Sequence, residues 1–444
     1  MTGQLTVRVH AMMYEADRSD GVRVVGSVIA ADHANPSHRD LMIPLGDDVV
    51  PTRLDLPPGR YFVEATLPSG DVLSEDVTVN DGASTDVQLR ADESPQETHS
   101  LQYVLGNVES GPVFWSADVY PVPHSMGSRS FEQRLTPPPS PPAAVPPTVT
   151  SAGFVRVHPE VALLRRASDT RLTCVDLNTL ADRTPVEAVA DVQHTLGAAP
   201  GTSVQPDVPN PVAPLYRLTQ SSAGAPLSGP GPHYLTVTAA DDAYLVTLPL
   251  PWTDTDGRDA TVEVLVNLRQ GPTSSAVSVA VTDPAVGAGL AYMASGHLEK
   301  AAAVFRDVRE MLLGKVSNPL AAAAAGYVLI GTETTSEPQY WDPWLRNLMA
   351  WFPTISDGAI LCGARRLRSA HDDDEVVEGR RCLLEGYRRG LPVYTLGLSW
   401  LIDGLSMFPE DAECAAALQQ VRRISFRVNM REPFVILRLG ESGS

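Results

Sequence analysis

The chain has 444 residues, 43% of them hydrophobic, which gives room for several domains and an ample core. Its 53 acidic and 34 basic residues leave a net charge of −19, opposite in sign to the surfaces that bind nucleic acid or anionic membranes. No stretch approaches the ~18 consecutive apolar residues of a membrane span, and the first residues lack the pattern of a secretory signal.

Residues 1–93 alternate in polarity and predict a domain of short strands. Tyr61, Val63 and Ala65 share one face of a strand, because successive side chains point to opposite sides. The surrounding stretch, Leu-Pro-Pro-Gly-Arg-Tyr-Phe-Val-Glu-Ala, resembles the prealbumin-like, carboxypeptidase-regulatory type of β-sandwich. This resemblance implies a structural or binding module and names no activity.

Residues 98–283 predict a second β-rich domain. Its strand candidates are 101–105, 113–120, 154–158, 171–175, 234–238, 244–248, 260–268 and 276–281. Three segments of the two β-rich regions have the composition of hairpin turns, namely 68–71, 80–82 and 239–242.

Two insertions interrupt the second β-rich domain. The insertion at 124–150 contains a proline-rich run that cannot enter a helix or a sheet interior, and the one at 197–232 is rich in Pro, Gly and Ser. We predict both to be extended or unstructured. Arg129 and Arg134 flank the proline-rich run and are the predicted protease-sensitive positions.

Four prolines organise residues 284–421: Pro284, Pro319, Pro353 and Pro392. Each is followed after five positions by a small residue (Gly289, Ala324, Gly358, Gly397), and after eight by a large apolar one (Tyr292, Tyr327, Leu361, Trp400). A period near 34 residues predicts stacked helix pairs, with each proline at the start of a pair. We expect the first helices of the pairs to line a concave groove. In three of the four units a glycine twelve positions on (Gly296, Gly331, Gly404) is expected to end the first helix, whereas the third unit has Arg365 there.

The first of these units has Gly289, Tyr292, Gly296, Ala301 and Phe305 at the spacing of the tetratricopeptide repeat, which it resembles. This resemblance implies a protein-binding helical array. The predicted fold class is therefore multidomain, with β-sandwich-type N-terminal domains followed by an all-α, tetratricopeptide-like helical-repeat domain. Residues 422–444 form a tail that alternates like a strand pair, and it returns either to the helices or to the second β-rich domain.

The common catalytic templates are absent from the sequence. There is no Gly-x-Ser-x-Gly, His-Glu-x-x-His, phosphate-binding loop or dinucleotide fingerprint. The four cysteines have no Cys-x-x-Cys spacing, which predicts free thiols in a reducing compartment. Nothing marks Cys174 or Cys362 as activated, although a cysteine–histidine nucleophile stays open, since such residues meet only in the fold.

Two polar clusters have alternative interpretations. The run 371–375 (His-Asp-Asp-Asp-Glu) suits either a helix N-terminus or a divalent cation, and we favour the helix cap. Seven arginines concentrate in the third helix pair and suit carboxylate or phosphate groups of a partner, a solvated helix face, or internal contact with the acidic β-rich regions. They are Arg365, Arg366, Arg368, Arg380, Arg381, Arg388 and Arg389.

These features predict a non-catalytic, cytoplasmic scaffold or adaptor that binds a protein partner through its helical repeats. We predict no catalytic residue, no cofactor, no bound metal, and no nucleic-acid or membrane partner. One alternative is a substrate or regulatory component of a bacterial protease-linked, defence-type system, cleaved in the proline-rich loop. A second alternative is a hydrolase with an unrecognised site.

Overall fold

A computed structural model describes residues 2–10, 23–31, 38–45, 50–68, 71–90, 159–165, 171–197, 214–218, 233–239, 242–253, 257–266, 276–305, 307–335 and 337–440. The strands predicted at 101–105, 113–120 and 154–158 lie outside these residues, as do Arg129 and Arg134.

The strands are β1 Gly3–His10, β2 Arg23–Ala30, β3 His38–Pro44, β4 Thr52–Leu56, β5 Gly59–Thr66, β6 Val72–Val79, β7 Ser84–Arg90, β8 Glu160–Arg165, β9 Leu215–Leu218, β10 His233–Ala239, β11 Asp242–Leu248, β12 Val262–Val266, β13 Val277–Val281 and β14 Ile436–Leu439. The helices are α1 Cys174–Thr179, α2 Pro185–Leu196, α3 Pro284–Ala294, α4 Leu298–Val304, α5 Val308–Leu313, α6 Pro319–Thr332, α7 Asp342–Trp351, α8 Ser356–Ser369, α9 Asp373–Arg389, α10 Thr395–Ser406 and α11 Ala412–Ser425. A β-rich region in several sheets followed by a helical region confirms the predicted multidomain fold class.

The first seven strands form two sheets, in the orders β4-β1-β7 and β3-β2-β5-β6. The four-stranded sheet is antiparallel, whereas β1 and β7 pair in parallel. Both sheets contribute to one shared core, which includes Leu5 and Val28. Tyr61, Val63 and Ala65 are buried on one face of β5, so the predicted alternation is confirmed.

Two of the three predicted hairpins are present, because the segments at 68–71 and 239–242 lie between strands that pair antiparallel. The hairpin predicted at 80–82 is wrong. A turn does form there, with Gly82 at a φ of 64°, a value that glycine adopts without steric penalty. However, β6 and β7 belong to different sheets, so this turn carries the chain from one sheet to the other.

Residues 160–281 contribute to two further antiparallel sheets, in the orders β14-β11-β10-β8 and β13-β12-β9. Side chains of the four-stranded sheet belong alternately to two different cores. Leu235 and Val246 belong to the core that contains the three-stranded sheet and α3 to α7. Tyr234 and Leu245 belong to the core formed with α1, α2 and the last helices. One face of this sheet therefore packs in a core shared with the three-stranded sheet, and the other face packs in a core formed with helices.

The predicted strands at 234–238, 244–248, 260–268 and 276–281 are confirmed as β10 to β13, but the one at 171–175 is wrong. Helix α1 begins at Cys174, because Thr173 and Asp176 form a reciprocal capping box. Helix α2 was also not predicted, and it begins with the same box between Thr184 and Glu187. Strand β9 lies inside the insertion at 197–232, which was predicted to lack structure.

The four prolines each precede or begin one helix, namely α3, α6, α8 and α10. Pro284 and Pro319 are the first residues of α3 and α6, whereas Pro353 and Pro392 lie three residues before α8 and α10. The pairs α3–α4, α6–α7, α8–α9 and α10–α11 follow from this register, and α5 stands between the first two pairs.

The glycines that follow three of the four prolines by twelve positions have two different roles. Gly296 follows α3 with a φ of 80°, as a helix C-terminus requires. Gly331 and Gly404 lie within α6 and α10, so their predicted capping role is wrong. A Cβ at Gly404 would come within 2.6 Å of Leu383, and one at Gly331 would collide with Leu298. Close packing between helices explains glycine at these two positions.

Contrary to our expectation, the first helices of the pairs do not all line an open groove, because α6 is buried. Its residues from Leu320 to Val328 are all buried, and α6 is apolar on every side. A helix that is hydrophobic all round belongs in a core, so α6 is the central helix of the region. Outward-facing surface therefore comes from the other helices. Among the described residues, no helix combines the length and apolar character that a membrane crossing needs.

The C-terminal tail returns to the second β-rich region. Helix α11 continues to Ser425, so the first of the two predicted tail strands is helical at its start. The second is present as β14, which pairs antiparallel with β11 from Ile436 to Leu439. Strand β14 thereby adds residues that follow the helical region to a sheet whose other strands lie between residues 160 and 248.

Candidate functional site

Arg365 is one of two predicted partner-binding arginines that are buried. Its Nε donates to Oδ1 of Asp342 at 2.8 Å, and its Nη2 donates to the carbonyl oxygen of Glu337 at 2.6 Å. The guanidinium also lies 5.1 Å from the centre of the Trp341 ring. These contacts hold α8 against the start of α7.

Arg389, at the end of α9, is the second buried arginine. Its Nε donates to Glu385 at 2.9 Å, and its Nη1 donates to the carbonyl oxygens of Met349, Phe352 and Ile355 at 3.0, 3.4 and 3.3 Å. Carbonyl groups at a helix C-terminus lack partners within the helix, and a guanidinium has the donors to satisfy them. Arg389 therefore ties the end of α7 to α9.

The other five arginines lie nearer the surface, and each has an intramolecular neighbour. Three of them form ion pairs: Arg380 with Asp411, Arg388 with Glu413, and Arg381 with both carboxylate oxygens of Glu378. Arg368 donates a hydrogen bond to the carbonyl oxygen of Ile330 and lies 4.8 Å from the centre of the Trp400 ring. Arg366 acts electrostatically on Cys362 and Glu378. Arg381 and Arg388 have exposed side chains in their ion pairs. The partner-binding role of the seven arginines stays a prediction.

The polar run at 371–375 is a helix cap. The side chain of Asp372 accepts a hydrogen bond from the backbone N–H of Glu375 at 2.9 Å, and Glu375 accepts one from the backbone N–H of His371 at 2.8 Å. This reciprocal arrangement confirms the structural interpretation. Within the described stretches, no group of three or more His, Cys, Asp or Glu side chains is arranged to hold a metal ion.

A surface that the sequence analysis missed lies on α5, α7 and their flanking residues. Its apolar members are Leu313, Val316, Tyr340, Trp344 and Trp351, and we call it the α5–α7 surface. Tyr340 is 59% exposed and Trp351 is 43% exposed. A cluster of exposed apolar and aromatic side chains usually marks a surface that another molecule covers.

Aromatic contacts order the α5–α7 surface. The rings of Tyr340 and Trp344 meet edge to face with their centres 5.6 Å apart, and the Arg309 guanidinium lies 5.6 Å from the centre of Tyr340. Trp344 and Trp351 are seven residues apart and share one side of α7, whereas Tyr340 precedes the helix and reaches this side through its contact with Trp344. Rigid, preordered rings lose little conformational entropy when a partner binds.

Lys315 lies beneath this surface and is only 3% exposed. Its Nζ is 5.9 Å from the centre of Trp344 and 5.4 Å from that of Trp351. Burial lowers the pKa of Lys315, because removal from water disfavours the charged form. Among the described residues, no carboxylate forms an ion pair with it. The site thus combines an apolar face with a partly desolvated cation.

One sequence signal could have revealed this surface. The chain has six tryptophans, and three of them fall between Trp341 and Trp351. Trp341 is buried under Arg365, which leaves Trp344 and Trp351 to the outer side. The proline register singles out the positions five and eight residues after each proline, and these tryptophans fall at neither position.

A buried carboxylate joins three parts of the helical region. Asp357 in α8 accepts hydrogen bonds from the Tyr327 hydroxyl at 2.9 Å and from the backbone N–H groups of Val393 and Tyr394 at 2.8 and 3.3 Å. Burial raises the pKa of Asp357 to about 6, although these hydrogen bonds oppose the shift. The side chain has no exposure to solvent, so it holds the helices together rather than meeting a substrate.

Tyr292 connects the helical region to the N-terminal sheets. Its hydroxyl donates to the carbonyl oxygen of Thr66 at 2.5 Å and accepts from the backbone N–H of Val25 at 3.1 Å. Burial raises the pKa of Tyr292 to about 12, so it stays protonated and able to donate. The large residue expected inside a helix pair therefore fastens α3 to β2 and β5.

Comparison with known proteins identifies a relationship in the helical region. Residues 288–435, from within α3 to the segment before β14, match the family model described as the Y4kD C-terminal domain. No curated protein and no solved structure matches the chain. The match covers the helical region and none of the strands β1 to β13, and its description names no activity.

Proposed function

We propose that the chain is a non-catalytic, cytoplasmic scaffold whose helical region binds a protein partner. The observation that carries the proposal is the α5–α7 surface, with its exposed Tyr340 and Trp351. Tryptophan, tyrosine and arginine are the residues that contribute most often to the binding energy of protein interfaces. Four free cysteines fit a reducing compartment.

The chemistry of the surface also indicates what the partner offers. An apolar side chain of the partner can cover Trp344 and Trp351, and a carboxylate beside it is attracted by the positive charge of Lys315 beneath these rings. Arg309 beside Tyr340 adds a second positive charge. We therefore propose a partner segment in which an acidic residue stands next to a large apolar one.

The finer family resemblances belong to this proposal. We interpret the four helix pairs as degenerate tetratricopeptide-like units, and the packing of Gly289 against Phe305 supports this for the first pair. We interpret the two N-terminal sheets as a prealbumin-like module, supported by the buried alternation along β5. Arg381 and Arg388 are the members of the arginine set whose exposure suits a polar rim.

The test compares full-length variants, because cutting the chain near 284 would separate β14 from β11 and divide two cores. The double variant Tyr340→Ser, Trp351→Ser removes the exposed rings. Phe426→Ser is the matched control, since Phe426 is 88% exposed and lies outside the surface. Each protein is tagged, expressed in the source cells and purified, and associated proteins are quantified by mass spectrometry.

We expect at least one associated protein to fall by about tenfold or more with the double variant and to stay unchanged with Phe426→Ser. The melting temperature of the double variant should match that of wild type, since both rings are at the surface. Equal recovery of every associated protein by all three chains would overturn the proposal.

Lys315→Met tests the chemistry of the partner once it is known. The chain has one other lysine, Lys300, so Lys300→Met is the matched control. We expect Lys315→Met to weaken binding and to reduce its dependence on salt, because the positive charge beneath the surface is removed. Equal affinity of both variants at low and high salt would show that the partner brings no carboxylate to this position.

A further inference from the structure

Two of the four cysteines lie side by side in the hairpin of α8 and α9. The sulfur atoms of Cys362 and Cys382 are 3.8 Å apart, and both residues are buried. Cys174 in α1 and Cys414 in α11 are also free and buried. A disulfide has an S–S distance of about 2.05 Å, so a small movement of each side chain would bring the first two into bonding range.

The two helices are close because glycines face each other where they cross. A Cβ on Gly363 would lie 3.0 Å from the carbonyl oxygen of Gly379, and a Cβ on Gly379 would lie 3.4 Å from that of Gly363. Cys362 directly precedes Gly363, and Cys382 lies three residues after Gly379. Short backbone separation is what a disulfide demands, since no bond closes when the Cα atoms are more than about 7 Å apart.

The surroundings make the two thiols chemically unequal. A hydrogen bond from Cys382, and then the positive charge of Arg366, lower the pKa of the Cys362 thiol against the opposing effects of burial and of Glu378. The same hydrogen bond, together with burial, raises the pKa of Cys382. Cys362 therefore has the larger thiolate fraction at neutral pH, and Cys382 lies close enough to react with an oxidised Cys362 sulfur.

We propose that Cys362 and Cys382 form a redox modification site, at which a hydroperoxide converts the two thiols into a disulfide that joins α8 to α9. The geometry of the hairpin supplies both reacting groups, and the oxidant is small enough to reach a buried pair during local opening. Neither Cys174 nor Cys414 takes part.

The chemistry balances in two steps. The Cys362 thiolate attacks one peroxide oxygen and breaks the O–O bond, which forms a sulfenic acid and releases hydroxide that takes up the proton lost by Cys362. The Cys382 sulfur then attacks the sulfenic sulfur, so that the S–S bond forms, the S–O bond breaks and the Cys382 proton leaves in a second water. The two thiols lose two electrons, and hydrogen peroxide gains them. A small dithiol reverses the change by exchange.

The bond would restrain the elements that carry all seven arginines of the third helix pair. Cys362 and Cys382 are 20 residues apart, so the disulfide closes a short loop around the turn between α8 and α9. Cross-links of this kind stabilise a protein mainly by restricting its unfolded chain. Oxidation should therefore raise the melting temperature by a few degrees.

The test treats the folded, full-length wild-type protein with a small excess of hydrogen peroxide. The protein is then denatured, its remaining thiols are alkylated, and tryptic peptides are identified by mass spectrometry without reduction. We expect the number of alkylated thiols to fall from four to two, with one linked product that joins peptide 347–365 to peptide 382–388. Dithiothreitol should restore all four thiols.

Two controls separate the pair from general oxidation. The double variant Cys174→Ser, Cys414→Ser should give the same linked product, whereas Cys362→Ala should give none and should not show the rise in melting temperature. Wild-type protein that keeps four thiols, that stops at a sulfenic or sulfinic acid on Cys362, or that links Cys174 or Cys414 would overturn the proposal. This readout uses wild type itself, so it does not depend on how well a variant folds.

Discussion

The N-terminal strands and the remainder of the chain build their cores in different ways. Among the described buried members of the first core, only Ala288 lies outside residues 2–90. Each of the other two cores combines strands from 160–281 with helices that follow Pro284. The strand β14 strengthens this mixing, because it enters the second β-rich region from the end of the chain.

This difference shows that an element order of strands followed by helices does not fix where one core stops and the next begins. The first seven strands need no helix to form their core, since two packed sheets can bury their apolar faces against each other. The four-stranded sheet with β10 and β11 is apolar on both faces and requires helices on one of them. We therefore expect residues 2–90 to unfold as one unit and residues 160–440 as another.

Two leucine-to-alanine variants test this division with the largest expected effect. Leu5 in β1 and Leu437 in β14 are both fully buried, in the first core and in the core of α1, α2 and α8 to α11 respectively. Each change should destabilise its own unit by about 2–5 kcal/mol, because it removes buried contacts and leaves a cavity. Hydrogen exchange measured by mass spectrometry locates the loss of protection.

Leu5→Ala should speed exchange in the described strands of residues 2–90, and Leu437→Ala should do so in both the strands β10 and β11 and the helices α8 to α11. Each variant is the control for the other, since the two substitutions are chemically identical. Faster exchange throughout the described residues in both variants would show one cooperative unit and would rule out the division at residues 90–160.

Asp357 gives the helical unit a pH dependence that the N-terminal unit should lack. The pKa of Asp357 is raised to about 6 in the folded chain from an ordinary value of 3.8, so the folded state binds the proton more tightly than the unfolded state. The resulting stabilisation is complete below pH ~4 and is lost as the pH rises through about 6. Relative to Asp357→Asn, wild type should lose about 2–2.5 kcal/mol of unfolding free energy between pH 4 and 7.

Urea unfolding at several pH values, followed by hydrogen exchange, measures this difference. Asp411→Asn is a control of opposite sign, because the backbone N–H of Cys414 lowers the pKa of the Asp411 carboxyl at the start of α11. The unfolding free energy of wild type should exceed that of Asp411→Asn at neutral pH, and this difference should shrink as the pH falls. A constant difference between wild type and Asp357→Asn from pH 4 to 7 would mean that the carboxyl titrates normally.

The sequence predicted those elements that local patterns determine. The alternation of Tyr61, Val63 and Ala65 and the hairpin between β10 and β11 follow from side-chain periodicity and turn composition. The prolines located the starts of four helices. The turn at Gly82 was also visible, but its neighbours in space depend on which sheet each strand joins, and no local pattern encodes that choice.

The candidate site was less accessible to sequence reasoning. Arginine content drew attention to α8 and α9, yet burial of Arg365 and Arg389 depends on carbonyl and carboxylate groups from α7 and its flanks. Lys315 lies among tryptophans that are 29 and 36 positions further along the chain, so only tertiary packing brings a cation under those rings. The pairing of Cys362 with Cys382 likewise depends on the glycine crossing of two helices.

The smallest expected effect concerns the hydrogen bonds that link the two units. Tyr292→Phe keeps the ring of α3 in place but leaves the Val25 N–H without its acceptor, at an expected penalty of about 1–3 kcal/mol. Tyr61→Phe is the matched control, because the Tyr61 hydroxyl donates at 2.7 Å to the carbonyl oxygen of Pro57 within the N-terminal unit. Hydrogen exchange should rise on both sides of the contact, in β2 and in α3, for Tyr292→Phe and only near β5 for Tyr61→Phe. If Tyr292→Phe leaves exchange in α3 unchanged, the hydroxyl serves the N-terminal sheet alone, and the two units are coupled through apolar packing around Ala288.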